Sequence, residues 1–301
     1  MATITAAEAS ASITSSASQI ATLPTPANMQ RYLMEGLEGV ERLQYHGAKP
    51  FNKTIHKLIT EFQLGGAAPY VVFSPVTQEQ LTDIDRIRQR RFKGLRFMYF
   101  NDGSTLIIKV IVDLTQELAH RQFVHRFERK MFEMGIDMEL VPLGAAMFSG
   151  PAGQKEADSA FGPAFHHLKS GWPTLLLECG VSESLACMQA EARWWLENSG
   201  EAVKTVIVIS VSRPEKSLHL EKWELVAMPD PGVTPAYLSP SIVKLDKTHH
   251  VDIVGGVVTG GPLTIKFQDV MLRDPEPGED DVVFGIEDLA NLAKNTWAGA
   301  Q

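Results

Sequence analysis

The side chains best suited to chemistry in this 301-residue chain are acids set at the edges of apolar segments. Glu117 stands in the first turn of a helical segment, Glu156 and Asp158 lie together in KEADSAF, and Glu178 comes near the end of the apolar run TLLLECG. An acid at the end of a covered strand is costly to bury unless a cation meets it. Mg²⁺ or Mn²⁺ would do so, taking hard oxygen ligands that commonly include one or two carboxylates, a backbone carbonyl and waters. Asp158 and Glu178, with the carbonyl of Cys179, make a suitable set. Each acid also has a plainer reading. Glu117 suits the positive end of a helix dipole, and Asp158 suits a turn before SerAlaPhe.

Other groups carry weaker signals. Arg86, Arg88, Arg90, Arg91, Lys93 and Arg96 place six positive charges in eleven residues beside Phe92, Phe97 and Tyr99. They form either a phosphate-contacting edge or a solvated helix face paired with Asp83 and Asp85. QELAH (116–120) has Gln where a zinc-protease helix needs its first histidine. The pairs His166–His167 and His249–His250 read as solvated. Trp194 and Trp195 point about 100° apart on a helix, so at least one belongs to the core. Cys179 and Cys187 read as small buried hydrophobes.

The elements that must hold these residues follow from periodicity. Residues 1–28, almost all Ala, Ser, Thr and other small or polar types, read as a tail, and 29–94 as a helical N-terminal region built on stripes such as Met34, Leu37, Val40, Leu43 and Ile55, Leu58, Ile59, Phe62. LRFMYF and STLIIKVIV, joined by AsnAspGly, predict a hairpin. Helices are expected over 115–134 and 183–198, and strands over 138–148, 155–161, 174–180 and 204–212, the four sharing one mixed sheet. Three antiparallel segments, LHLEKWELVA, HHVDIVGGVV and PLTIKFQDVML, complete an α/β core over 95–270, and 271–301 is an acidic segment ending in a short helix.

Composition sets limits. With 28 basic and 36 acidic residues the net charge is -8, so any contact with nucleic acid must use a local patch. No run approaches the roughly 20 apolar residues of a membrane-spanning helix. Two cysteines suit a reducing, intracellular compartment, cytoplasmic or nuclear.

The order helix, strand, strand, strand, helix, strand over 115–212, with Asp on the second strand and Glu on the third, resembles the PD-(D/E)XK superfamily of restriction-endonuclease-like nucleases. KEADSAFGP, WPTLLLECGVSES and EARWWLENSG are similar to fungal members of that superfamily. The resemblance implies a restriction-endonuclease-like core and a metal-dependent phosphodiesterase acting on DNA or RNA, with Asp158 and Glu178 holding Mg²⁺ or Mn²⁺ and Glu117 as the acid of the first core helix. A catalytically degenerate relative, serving as a nucleic-acid-binding or protein-interaction scaffold, is the alternative. In the family pattern a lysine stands two residues after the strand glutamate; here that residue is Gly180. Lys155, Arg193 or Gln189 would have to supply its role. Lys155 is odd-spaced from Asp158, so a bulge or loop between them is required for it to help. The partners this implies are nucleic acid and a second copy of the chain, with no membrane.

Overall fold

The computed structural model describes residues 32–33, 35–65, 68–111, 113–229 and 241–300. The tail at 1–28, and Met34 of the first apolar stripe, lie outside the described residues. The chain begins with β1 (Arg42–Leu43), α1 (Ala48–Gln63), β2 (Tyr70–Phe73) and α2 (Gln78–Arg91). Thr77 and Gln80 close a capping box at the start of α2, each side chain accepting from the other's backbone N–H, at 3.2 and 2.9 Å. The expected hairpin follows as β3 (Leu95–Phe100) and β4 (Thr105–Val110), paired antiparallel, and then the long helix α3 (Leu114–Glu133), capped by Asp113.

Next come β5 (Leu140–Pro142), β6 (Met147–Gly150), β7 (Gly153–Glu156), β8 (Ser159–Pro163), α4 (Ala164–Ser170), β9 (Leu175–Val181), α5 (Leu185–Asn198) and β10 (Thr205–Ser212). The long pair β11 (Ser217–Pro229) and β12 (Ser241–Val254) is antiparallel, as expected, and β13 (Val257–Thr259) extends it. PLTIKFQDVML departs from the expected strand: only β14 (Leu263–Ile265) is extended, and Phe267–Met271 forms α6. β15 (Val282–Phe284) pairs with β14, and α7 (Ile286–Gly299) ends the fold.

The strands form two main sheets rather than the single one expected. One runs β1-β2-β4-β3-β7-β6 and the other β13-β12-β11-β10-β9-β8-β5, with β14-β15 a separate pair. The segments at 174–180 and 204–212 do share a sheet, as the parallel neighbours β9 and β10 joined through α5. The segments at 138–148 and 155–161 do not stay whole: each divides between the sheets, β6 and β7 joining the first, β5 and β8 the second. The physical reason lies at Ala157 and Asp158. Pairing with β3 ends at Lys155, pairing with β9 begins at Ser159, and the chain crosses from one sheet to the other between them.

Alternation along β9 and β10 sorts the core. Leu175, Leu177, Cys179, Ile207 and Ile209 pack with Phe123, Phe127 and Met131 of α3 and Leu289 and Leu292 of α7. Leu176, Val206 and Val208 face the other way, onto Trp195 of α5 and Met98, Phe100 and Ile107 of the first sheet. Phe51, Ile55 and Ile84 of α1 and α2 cover that sheet's outer face. The inner faces of the two sheets, with α5, thus enclose one space. No helix among the described residues is long and apolar enough to cross a membrane.

Gly180 lies on the enclosed face, two residues after Glu178. A Cβ there would stand 2.7 Å from both Met188 Sδ and Ser184 Oγ, and Ser184 is itself fixed by donating to the Val181 carbonyl at 2.7 Å. The position therefore has no room for the lysine of the family pattern. Gly180→Ala is expected to lower stability by about 1–3 kcal/mol through overpacking, read by urea denaturation; an unchanged midpoint would show that Met188 yields freely.

Candidate active site

Between the sheets lies a cluster of charge. Register brings Tyr70, Lys109 and Arg96 into one row across β2, β4 and β3, and sets Lys155 beside Met98 on the same face. From the second sheet Glu178 projects toward them, and Glu191 approaches from α5.

Glu178 is completely buried and accepts from three donors: Lys155 Nζ at 2.7 Å, Trp195 Nε1 at 2.7 Å and Lys109 Nζ at 3.3 Å. Asp158 Oδ2 accepts from Lys109 Nζ at 2.8 Å and from the Cys179 backbone N–H at 2.9 Å. Its Oδ1 makes no hydrogen bond and faces Arg96 Nε at 3.6 Å. The Glu191 carboxylate lies 3.3 Å from Lys155 Nζ and 3.6 Å from Lys109 Nζ, and accepts from the hydroxyls of Tyr32 and Tyr70 at 3.0 and 3.3 Å. One ammonium, that of Lys109, thus touches three carboxylates.

The titration of these groups follows from burial and partners. Burial would raise the Asp158 carboxyl, but Lys109 and Arg96 hold it well below the usual range. The same contest leaves Glu191 lowered, with Lys109 and Lys155 outweighing burial. Glu178 goes the other way: burial, joined by the repulsion of Glu191, pushes it up to about 8 against the pull of Lys155. Lys109, with three anionic neighbours outweighing its burial, is raised well above the ordinary lysine value. Of the three acids Glu178 is the most deeply buried and has Glu191 beside it, which is why it is the one that holds a proton most tightly.

The acids and lysine named from sequence fall in three groups. Asp158, Glu178 and Lys155 meet, and the break that Lys155 needed is the crossing at Ala157 and Asp158. The Cys179 carbonyl lies beside them and accepts from Gln116 Nε2 at 2.8 Å. Glu117 has a different partner: it pairs with Arg121 at 2.5 Å on the half-exposed side of α3. Gln189 and Arg193 are also drawn elsewhere, Gln189 donating to Glu221 at 3.0 Å, Arg193 pairing with Glu35 and stacking over Trp223.

The basic run is divided too. Arg86 pairs with Asp83 at 2.9 Å and Arg88 with Asp85 at 2.7 Å, as a solvated face would. Arg88 also pairs with buried Glu156, whose other oxygen accepts from the Phe97 N–H at 2.9 Å. Arg96 reaches Asp158, and Arg90, Arg91 and Lys93 remain exposed at the end of α2.

Several members of the cluster escaped the sequence reading. Lys109 is the lone charge in STLIIKVIV, which is a usable signal. Glu191, one of two acids on a mixed helix, offers none. His120, rejected as a zinc ligand, packs with Nε2 3.0 Å from Ser159 Oγ, and burial lowers its pKa. Trp195 is core, as expected, and also a donor to Glu178.

Mg²⁺ or Mn²⁺ fits this set in chemistry but not yet in spacing. The donors are hard oxygens, and Asp158 Oδ1 makes no hydrogen bond, although it is ion-paired with Arg96 Nε at 3.6 Å. Yet among the described residues no three His, Cys, Asp or Glu side chains gather as metal ligands. The carboxylates stand at ammonium distances, where Mg²⁺ requires about 2.1 Å. Compared with protein-family models and with curated proteins, the chain matches none.

Proposed function

We propose that the protein is a metal-dependent phosphodiesterase of nucleic acid on a restriction-endonuclease-like core. One observation carries the reading: Asp158 and Glu178 share the Lys109 ammonium, with Lys155 on the second oxygen of Glu178. Burying so many charges is costly, and such clusters concentrate at functional sites. Asp158, Glu178 and the Cys179 carbonyl would hold the cation, which lowers the pKa of an attacking water and neutralises charge on the phosphate.

The chain's own residues have separable roles. Lys155 stands in for the motif lysine that Gly180 cannot provide, reaching Glu178 from β7 of the facing sheet. Arg96, partly exposed beside Asp158, draws the phosphate in. His120, kept neutral by burial, stands at the rim where it can accept a proton. Arg90, Arg91 and Lys93, exposed at the end of α2, give the acidic protein a local positive patch for a polyanion.

The test is incubation of the purified chain with single- and double-stranded DNA and RNA, with Mg²⁺, Mn²⁺ or EDTA. Cleavage that depends on the metal is expected; survival of every substrate with every metal would refute the enzyme reading. The second reading, a degenerate nuclease fold that binds without cutting, draws on the pairing of every one of these carboxylates with a lysine. Under either, Arg90→Ala, Arg91→Ala and Lys93→Ala together should weaken binding and make the log–log salt dependence shallower by roughly two to three. Salt-dependent binding without cleavage would favour the second reading, and neither would leave a protein-interaction scaffold.

A further inference from the structure

We propose that the cleft between α3 and α7 binds the phosphate group of a small phosphorylated molecule, with Arg126 as its anchor. The site is separate from the one already described, because α3 and α7 cover the face of the second sheet that points away from Glu178. Helical spacing builds the cleft. Gln122, Arg126 and Lys130 recur every four residues along α3, and Asp288, Asn291 and Asn295 at intervals of three and four along α7, so each set forms one row beside its helix's buried stripe. The two rows line a hollow of about 310 Å³. Lys130 Nζ meets Asp288 at 2.8 Å across one end, and Asn295 Nδ2 donates to Gln122 Oε1 at 3.3 Å across the other. Arg126 and Asn291 fall between these two ties.

Charge in the cleft is unbalanced. Both acids that line it are already engaged: Asp288 accepts from Lys130 and from the Gly285 N–H at 3.2 Å, and Glu133 pairs with Arg129 at 2.8 Å. Among the described residues Arg126 makes no ion pair; its guanidinium donates to the backbone and side-chain oxygens of Gln122, at 2.9 and 2.6 Å. The side chain is half-buried, and burial lowers its pKa, with Arg129 adding to that effect against the pull of Asp288. A partly desolvated cation short of negative charge, inside a protein of net charge -8, is a place prepared for an anion. The planar fork of a guanidinium matches the oxygens of a phosphate, and its unused N–H groups can form charge-assisted bonds to them. Amide groups of Gln122 and Asn291 offer neutral donors on either side. An anion can therefore pair with Arg126 while both cross-cleft ties stay closed. Those ties also bound the ligand: a terminal phosphate, projecting from a small molecule, enters between them more readily than one flanked by sugars on both sides.

The test is a titration of the whole chain, labelled with ¹⁵N-arginine, with adenosine monophosphate at constant ionic strength and with EDTA present. The Nε–H signal of Arg126, assigned with Arg126→Gln, is expected to shift saturably. That of Arg121, paired with Glu117 on the same helix but outside the cleft, should stay in place. By calorimetry Arg126→Gln should bind the nucleotide at least about tenfold more weakly, the scale of one lost hydrogen bond to a charged group. Gln at 126 leaves no carboxylate without its partner, so the fold should survive. Inorganic phosphate should displace the nucleotide, and uncharged adenosine should not bind. No saturable shift, unchanged affinity in Arg126→Gln, or adenosine binding as tightly as its monophosphate would overturn the proposal. An oligonucleotide without terminal phosphates that moves the Arg126 signal at lower concentration than the monophosphate would also overturn it, by giving the cleft to nucleic acid. Should Arg126→Gln fail to fold, Arg126→Lys keeps the charge without the fork. Weaker binding by that variant is expected, and equal binding would remove Arg126 as the anchor.

Discussion

Asp158→Asn and Glu178→Gln should each reduce metal-dependent cleavage by about a thousand-fold or more, the scale on which removing one member of a cooperating catalytic set acts. Both changes preserve volume and remove a charge. Asn at 158 can still accept from the Cys179 N–H and from Lys109 through its carbonyl oxygen, so the crossing between the sheets keeps its anchor. Its amide nitrogen, however, then faces Arg96, where the carboxylate attracted it. Gln at 178 can keep the bonds to Lys155 and Trp195 but turns a donor toward Lys109. Circular dichroism and a thermal melt accompany the assay, since loss of cleavage with loss of fold would say nothing of the metal. Glu117→Gln is the contrast: its partner is Arg121 on the surface, and an exposed pair of that kind contributes little. Turnover within about twofold of the unaltered chain is expected there. A loss as large as that of the Asp158 variant would place Glu117 among the acting groups.

The acids were legible in the sequence because each breaks an apolar run. Glu178 stands out against TLLL, and Asp158 follows a segment whose order relative to Glu178 carries meaning. The helix Leu114–Glu133 was legible from its stripe of Phe123, Phe127 and Met131, and β9 and β10 from their unbroken apolar character. The split of KEADSAF was not, because each half is locally a good strand and only partners distant in sequence decide which sheet it joins. Lys155 pairs across from Met98, 57 residues away, and Ser159 across from Leu177, 18 residues away, both beyond the reach of a local pattern. The contribution of the N-terminal region was hidden for the same reason. It supplies β2, and with β4 of the following hairpin it brings Tyr70 and Lys109 to the acids, while α1 and α2 cover the outer face and α2 sends Arg88 to Glu156. A lysine in an apolar strand is a visible oddity, but nothing within β4 says which carboxylates await it.

Stability against pH provides the remaining test of how charge is arranged, with the largest slope assigned to one group. Glu178 has an ordinary value of 4.5 and is pushed up to about 8 in the folded chain, first by burial. The folded protein therefore holds this proton where the unfolded chain has released it. The stabilisation is complete below about pH 4.5 and is lost as pH rises through 8, amounting to at most about 5 kcal/mol over that window. Asp158 acts in the opposite sense: its lowered value stabilises above the ordinary aspartate range and is lost as pH falls. His120, lowered by burial, favours the folded state more as pH climbs through the usual histidine range, and so partly offsets Glu178. Urea denaturation from pH 4 to 9 should thus show stability declining toward the alkaline side. In Glu178→Gln, where position 178 no longer titrates, the decline should become shallower, leaving the opposing slope from His120 and the decline from His219, whose value its bonds to Glu221 and Asp252 raise. The slope decides the matter rather than the offset, because the amide facing Lys109 has a cost at every pH. An alkaline decline identical in the two proteins would assign the extra proton to another member of the cluster, and would leave Glu178 ionised between its two lysines.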